Sequence, residues 1–264
     1  MSFKIGKVEK YIYEKLDEKG ALLFMLVDPV DYKTEADAIA TGKGAAEGGA
    51  DVILIGGSTG AQGELLERVT KGIKDQVDAP IILFPGNLAT ITKYADAFYF
   101  QSMLNARNPY WITQVQSLGA PIIRQLNIEP LPVGYIVVAP GGTVGWVADA
   151  NLVPREKPHV AASLALAGQY MGNRFILTDA GSNPQLLGSG PIPPDMIRAV
   201  RDAIDITYIV AGGIKEEKDL RSAIKSGADI VQIGTAIEKS SDAKSKAKFF
   251  SRIVSEEGKA RKLR

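Results

Sequence analysis

Two glycine turns stand close together in the C-terminal third of the chain. Gly212-Gly213 follows the apolar run 207–210, and Gly234-Thr235 follows the run 230–233. Glycine at a strand end lets backbone N–H groups approach an anion closely. The start of a following helix adds partial positive charge. Two such turns in tandem, with a helix-forming segment over 215–226 between them, read as a phosphate cup. Asp28 ends another apolar run. A carboxylate there can hold Mg²⁺, a hard cation that takes oxygen ligands and shares them with phosphate. Ser58 and Thr59 follow Gly56-Gly57 and offer hydroxyls to the same ion or to a diphosphate. Asp179 is the remaining strand-end carboxylate. Beside a phosphate cup it can take the hydroxyl proton of a phosphorylated substrate, and Gly181 and Ser182 extend the cup. A side chain at Gly213 would be expected to stand where the phosphate lies. Plainer readings remain open: Asp28 as a turn cap, the glycines as simple tight turns.

These groups need strands to carry them. Residues 21–27, 51–55, 80–84, 97–100, 134–138, 174–178, 207–210 and 230–233 read as buried strands, several of them continuous apolar runs. Helical patterns fall over 34–48, 64–76, 109–118, 158–171, 194–204 and 215–226, with a last helix opened by Ser240-Ser241 and running to about 257. Residues 121–133 and 139–154 read as long connections. Residues 8–19 carry Val8, Ile12 and Leu16 at helical spacing and predict a helix closing the barrel bottom. Eight strands alternating with helices predict one α/β domain over 1–264, a (β/α)8 barrel. Active sites of such barrels lie at the C-terminal ends of the strands, where the polar residues above fall. A doubly wound open sheet is the alternative; no GxGxxG follows the first strand.

Composition narrows the function. The chain of 264 residues has a formal net charge of +1, with no basic surplus for nucleic acid. Its basic tail, 259–264, reads as a solvated helix end. Cysteine is absent, which excludes disulfides, zinc–thiolate sites and thiol catalysis. The single histidine, His159, reads as a surface residue, with no nucleophile elbow to suggest a triad. No signal peptide or membrane-spanning run is evident, so a cytoplasmic location is expected.

Several segments stand in one order from about residue 20 to about residue 240. They are Leu26-Val27-Asp28-Pro29, Ile55-Gly56-Gly57-Ser58, Phe84-Pro85-Gly86-Asn87, Met103-Leu104-Asn105-Ala106-Arg107-Asn108-Pro109, Glu129-Pro130-Leu131-Pro132-Val133-Gly134-Tyr135, Ala180-Gly181-Ser182, Val210-Ala211-Gly212-Gly213-Ile214 and Ile233-Gly234-Thr235. Singly, the glycine turns are general to phosphate-binding barrels. Together the set resembles the geranylgeranylglyceryl phosphate synthase family, which also includes bacterial heptaprenylglyceryl phosphate synthases. The resemblance implies Mg²⁺-dependent transfer of a prenyl group from a polyprenyl diphosphate, geranylgeranyl diphosphate being the expected donor. The acceptor would be the C3 hydroxyl of sn-glycerol 1-phosphate, in the first ether bond of archaeal-type membrane lipids. It implies Asp28 and Ser58 as Mg²⁺ ligands. It implies Leu177, Thr178, Asp179, Ala180, Gly181, Ser182, Asn183, Gly212, Gly213, Gly234 and Thr235 as the glycerol phosphate site. It also implies a homo-oligomer, dimer or hexamer, and leaves room for peripheral membrane contact by way of the lipid substrate.

The chain departs from the family pattern at three positions of one loop. Where the family reads Tyr-Leu-Glu-Ala-Gly-Ser-Gly, this chain has Leu177, Asp179 and Asn183 in place of the tyrosine, the glutamate and the last glycine. The catalytic base then falls to Asp179, whose carboxylate sits roughly 1.5 Å further back than a glutamate's. An inward shift of the backbone, or a bridging water, is expected to make up the distance. Tyr99, Trp146 and loop 139–154 are the candidates for setting prenyl chain length. Two other classes compete: another phosphate-binding barrel enzyme acting on a small phosphorylated metabolite, and a non-catalytic phosphometabolite-binding protein. None of the strands read above ends in lysine, which disfavours a Schiff-base aldolase.

Overall fold

The computed structural model describes residues 5–238 and 240–263. In chain order it begins α1 (Lys7–Lys19), β1 (Leu22–Val27), α2 (Glu35–Glu47), β2 (Val52–Gly56), α3 (Gly63–Lys74) and β3 (Ile81–Phe84). It continues β4 (Ala97–Met103), α4 (Gln114–Leu126), β5 (Glu129–Val137), α5 (Gly142–Val147), α6 (Pro158–Tyr170), β6 (Phe175–Asp179) and α7 (Pro194–Ala203). The last part is β7 (Thr207–Ala211), α8 (Glu217–Lys225), β8 (Ile230–Ile233), the single turn α9 (Thr235–Glu238) and α10 (Ala243–Lys262). All strand pairs are parallel, and β8 pairs back onto β1, so the sheet closes into a barrel in sequence order, as expected.

Strand alternation sorts the apolar side chains into two cores. Leu22 and Phe24 of β1 point inward, with Leu131, Val133, Tyr135, Phe175, Leu177, Ile209 and Ile230. Leu23, Met25 and Val27 point outward to the helices, with Leu66, Val69, Met196 and Phe250. The inward set continues upward to the polar residues at the strand C-termini.

Helix α1 closes the bottom of the barrel, as its spacing predicts. Ile12 is fully buried, and Tyr13 stacks on Phe175 with ring centroids 6.0 Å apart. The Glu129 carboxylate accepts from the N–H groups of Val8 and Glu9, both at 2.8 Å, and so caps the helix from the start of β5. Buried Glu9 pairs with Arg174, whose Nη2 lies 2.7 Å from Oε2.

The sequence patterns place no helix between β3 and β4, and the structure has none; several other local expectations are corrected. Residues 85–96 form turns, opened by Pro85 and by Asn87, whose Oδ1 accepts the Ala89 N–H at 2.7 Å. The helix expected over 109–118 is a single 3-10 turn (Pro109–Trp111), capped by Asn108, followed by α4. Pro121 lies inside α4, although proline usually ends a helix. Strand β5 starts at Glu129, not at 134, and contains Pro130 and Pro132. It pairs with β4 from its first residue but with β6 only from Val133, so the prolines lie where no β6 ladder needs their N–H. Loop 139–154 holds α5, and α10 begins at its cap Asp242 and runs beyond 257 to Lys262. His159 is exposed at the start of α6. No helix among the described residues is long and apolar enough to cross a membrane.

Candidate active site

The strand C-termini surround a cavity of about 310 Å³. Asp28, Ser58, Asp179, Gly181, Ser182, Asn183, Gly212, Gly213, Gly234 and Thr235 all line it, although they come from five strand ends. Leu177, Thr178 and Ala180 do not. Leu177 points inward one layer below Asp179 and is sealed in the barrel core. Thr178 and Ala180 face the other side of the sheet. The Thr178 hydroxyl shares a hydrogen bond with the Tyr208 hydroxyl at 2.8 Å, and Ala180 packs in the outer core. The expected run 177–183 therefore meets the cavity only through Asp179 and Gly181 to Asn183.

Asp179 sits at the floor, 7% exposed. The Tyr135 hydroxyl donates to its Oδ2 at 2.6 Å, and the Gly181 N–H donates to its Oδ1 at 2.7 Å. Burial pushes the carboxyl above its usual range, while these two donors pull it back. Burial also pushes the Tyr135 phenol well above its ordinary value, ahead of the effects of Asp179, so Tyr135 stays protonated and donates. The Tyr135 ring is held by Phe84, centroid to centroid 5.8 Å, and Phe84 packs edge-on against Tyr99 at 5.5 Å.

The glycine turns have the backbone that the cup requires. Gly212 and Gly213 have φ of 86° and 78°, in the left-handed region. A Cβ on Gly212 would fall 2.5 Å from Asp179 Oδ1, so this turn packs directly behind the carboxylate. A Cβ on Gly213 would fall 2.5 Å from Pro184 Cγ, which corrects the expectation that it would enter the phosphate space. Asn183, with φ of 51°, takes the left-handed backbone that the family's glycine would take; asparagine tolerates it better than most residues.

The opposite rim is acidic. Asp28 Oδ1 accepts from the Val30 N–H at 3.2 Å, so it caps a turn and lines the cavity at once. A Cβ on Gly57 would fall 2.0 Å from Asp28 Oδ2; only glycine lets the backbone before Ser58 come so near. Burial raises Asp28 to about 7. Glu238, hydrogen-bonded to Asp31, is raised to about 8 by burial, with the Asp31 and Asp28 charges adding to it. Carboxylates deprived of water and of a cation suit a hard divalent ion. Among the described residues no three Asp, Glu, His or Cys are placed to enclose a metal. The donor set that Asp28 and Ser58 offer, one carboxylate and one hydroxyl lining the same cavity, is of the kind Mg²⁺ takes when substrate phosphates complete its shell.

Sequence reasoning passed over Tyr135, Gln232, Glu238 and Lys215, all of which line the cavity. Period-two alternation along β5 and β8 would have placed the first two inward. Of the candidates for chain length, Tyr99 is buried in the barrel wall, and Trp146 is 83% exposed and lines neither cavity nor cleft. Loop 139–154 contributes Thr143, Val144, Val147 and Ala148 to the cavity wall. A second, narrow cleft lies between the helix-free β3–β4 connection and α4, lined by apolar Leu88, Ile91, Phe98, Val115 and Ile123. It shares Pro85, Gln101, Met103 and Trp111 with the main cavity.

Several known proteins are similar to this chain in sequence as well as in fold. Geranylgeranylglyceryl phosphate synthase from Pyrococcus horikoshii is 52% identical over 236 residues, 89% of this chain and 91% of that protein. The enzyme of the same name from Thermococcus sibiricus is 49% identical over 251 residues, covering 95% of this chain and 96% of that one. Among solved structures, (S)-3-O-geranylgeranylglyceryl phosphate synthase from Thermoplasma acidophilum, in complex with its substrate sn-glycerol 1-phosphate, superposes with a TM-score of 0.88 at 30% identity. The match covers 96% of this chain and 100% of that one. The sequence pattern of the PcrB family matches residues 14–251, and with these relatives it settles the assignment: the chain belongs to the PcrB family.

Proposed function

We infer that this chain is a geranylgeranylglyceryl phosphate synthase, joining a polyprenyl group from its diphosphate to the C3 hydroxyl of sn-glycerol 1-phosphate. The observation that carries the reading is one cavity that places a buried carboxylate beside two glycine turns and opens toward an apolar cleft. The glycerol phosphate lies with its phosphate at the N–H groups of Gly212, Gly213, Gly234 and Thr235. Lys215 adds a positive charge at the rim. The C3 hydroxyl then faces Asp179. A carboxylate has about four acceptor positions; Tyr135 and Gly181 take two, and two remain for the substrate.

In the reaction the C3 oxygen bonds to the first prenyl carbon as the carbon–diphosphate bond breaks. Diphosphate departs with the electron pair, and the hydroxyl proton passes to Asp179. Asp28 and Ser58 are the residues that would hold Mg²⁺, which would supply charge neutralisation for the departing diphosphate. Phosphate held in the cup fixes the hydroxyl against the carbon, which converts an encounter into an oriented step. The apolar cleft takes the prenyl tail; burial of a hydrocarbon chain there is favourable by about 25 cal/mol per Å². The reading carries with it a cytoplasmic location, a homo-oligomer and peripheral contact with the membrane that receives the product. Light scattering and vesicle flotation test the last two.

The decisive experiment is incubation with radiolabelled sn-glycerol 1-phosphate, Mg²⁺ and geranylgeranyl diphosphate. Label that becomes extractable into organic solvent is the expected result. Label that stays in the aqueous phase, with folded protein and all three components present, refutes the reading.

A further inference from the structure

The cavity floor holds a polar group that the reaction above leaves unused. Gln232 is 4% exposed, lines the cavity, and has no hydrogen-bond partner for its Oε1 among the described residues. A buried amide oxygen without a donor is destabilising, and in this position only the cavity can supply one. Gln101, the other wall glutamine with an unpartnered Oε1, is tied at its Nε2 to the Pro85 carbonyl at 2.9 Å.

Register places Gln232 relative to the base. Asp179 pairs with Ala211, and Ala211 pairs with Gln232, so the three form one row across β6, β7 and β8. Asp179 and Gln232 flank Ala211, which is only a methyl group. Neighbouring strands are about 4.8 Å apart, which sets the two flanking Cα atoms about 10 Å apart. Both side chains enter the cavity from this row, so one small substrate can meet both head groups. Above this row lie the turns at Gly212 and Gly234.

We propose that Gln232 receives the C2 hydroxyl of glycerol phosphate and determines selectivity for that hydroxyl and its configuration. The proposal rests on the reaction read above. With the phosphate in the cup and the C3 hydroxyl on Asp179, the C2 hydroxyl is the only polar group of the substrate left without a partner. A hydroxyl both donates and accepts, so it satisfies either end of the amide. In the enantiomer, sn-glycerol 3-phosphate, the same anchoring turns the C2 hydroxyl away from β8. Sites built to bond a substrate hydroxyl reject analogues that lack it far more strongly than apolar pockets reject a missing methylene.

The test compares kcat/KM for sn-glycerol 1-phosphate, sn-glycerol 3-phosphate and 3-hydroxypropyl phosphate, which lacks the C2 hydroxyl, at saturating Mg²⁺ and geranylgeranyl diphosphate. The wild-type chain is expected to prefer sn-glycerol 1-phosphate over the deoxy analogue by roughly 10³-fold or more, above the range for a missing methylene. Gln232→Met, similar in length but without the amide, is expected to bring that preference to within about twofold, with the loss falling on sn-glycerol 1-phosphate. Gln232→Glu keeps an acceptor in place and is expected to keep most of the preference. Gln232→Met with wild-type selectivity overturns the proposal. If that variant does not fold by circular dichroism, calorimetric binding of the two phosphates to the wild-type chain decides: equal affinities overturn it. Failure of the wild-type chain to transfer any prenyl group is a different outcome; it removes the reaction itself, whatever Gln232 binds.

Discussion

Replacing Tyr135 with phenylalanine removes one oxygen atom and one hydrogen bond, and the consequence can be worked out. The hydroxyl donates to Asp179 Oδ2 at 2.6 Å, and both side chains are buried. It therefore stabilises the ionised carboxylate and lowers its pKa, against a burial effect that raises it. A hydrogen bond to a charged group is worth about 1.5–3 kcal/mol. At 1.36 kcal/mol per unit, its loss raises the Asp179 pKa by about 1–2 units. The base must be ionised to take the proton, so activity falls as pH drops through that pKa. In Tyr135→Phe the acid limb of kcat/KM accordingly moves to higher pH by about 1–2 units, while the alkaline plateau stays near that of the wild type. The ring remains packed on Phe84, so folding should survive. The assay is the pH profile of label transfer for both proteins, with melting temperatures alongside. An acid limb that does not move, or moves to lower pH, refutes the electrostatic role. A plateau lowered by about 10²-fold at every pH also refutes it and makes the hydroxyl itself part of the proton path.

Other perturbations separate the remaining parts of the site. Asp179→Asn keeps the shape but cannot take a proton; kcat should fall roughly 10²- to 10⁴-fold, about 3–5 kcal/mol of barrier, with prenyl diphosphate affinity retained in equilibrium binding. Asp28→Asn should weaken Mg²⁺ dependence and turnover while leaving glycerol phosphate binding nearly unchanged, as calorimetry with each ligand will show. In the wild-type chain, Mg²⁺ affinity should weaken as pH falls through about 7, because protons compete for the Asp28 oxygens. Gly212→Ala should cost about 1–2 kcal/mol from the left-handed backbone alone. Since its Cβ meets Asp179 Oδ1, it should lower kcat as well as raise the glycerol phosphate KM; an effect on KM alone would contradict that packing.

The barrel was legible because its strands are short apolar runs ended by glycine, proline or aspartate, and each such ending is a local signal. Where the reading failed, the local signal and the tertiary requirement disagreed. Pro121 reads as a stop, yet α4 continues through it. Pro130 and Pro132 read as loop, yet the strand carrying them has no β6 neighbour there to need their N–H groups. Between β3 and β4 the two agree: residues 85–96 carry no helical pattern in the sequence reading, and they form turns. The lack of a helix there is what leaves room for the apolar cleft beside α4.

The site was legible to the extent that its chemistry is carried by single residues at strand ends. Asp28, Ser58, Asp179 and the glycine turns announce themselves by type and position, and the fold brings them to one cavity. What sequence could not convey is which group lies across the barrel from which. The shortened base illustrates this. The register is regular through Asp179, with Val137 on one side and Ala211 on the other. A tyrosine two strand positions before Val137 reaches across to one carboxylate oxygen, and Gly181 takes the other. The short side chain is thereby fixed in one rotamer near the floor, and the substrate hydroxyl must come down to meet it. A substrate drawn that deep is brought beside the row-mate of Asp179, Gln232. The aspartate at 179 and the glutamine at 232 thus form one physical arrangement: a deeper glycerol needs a polar floor, and here the floor has an amide oxygen with no donor among the described residues.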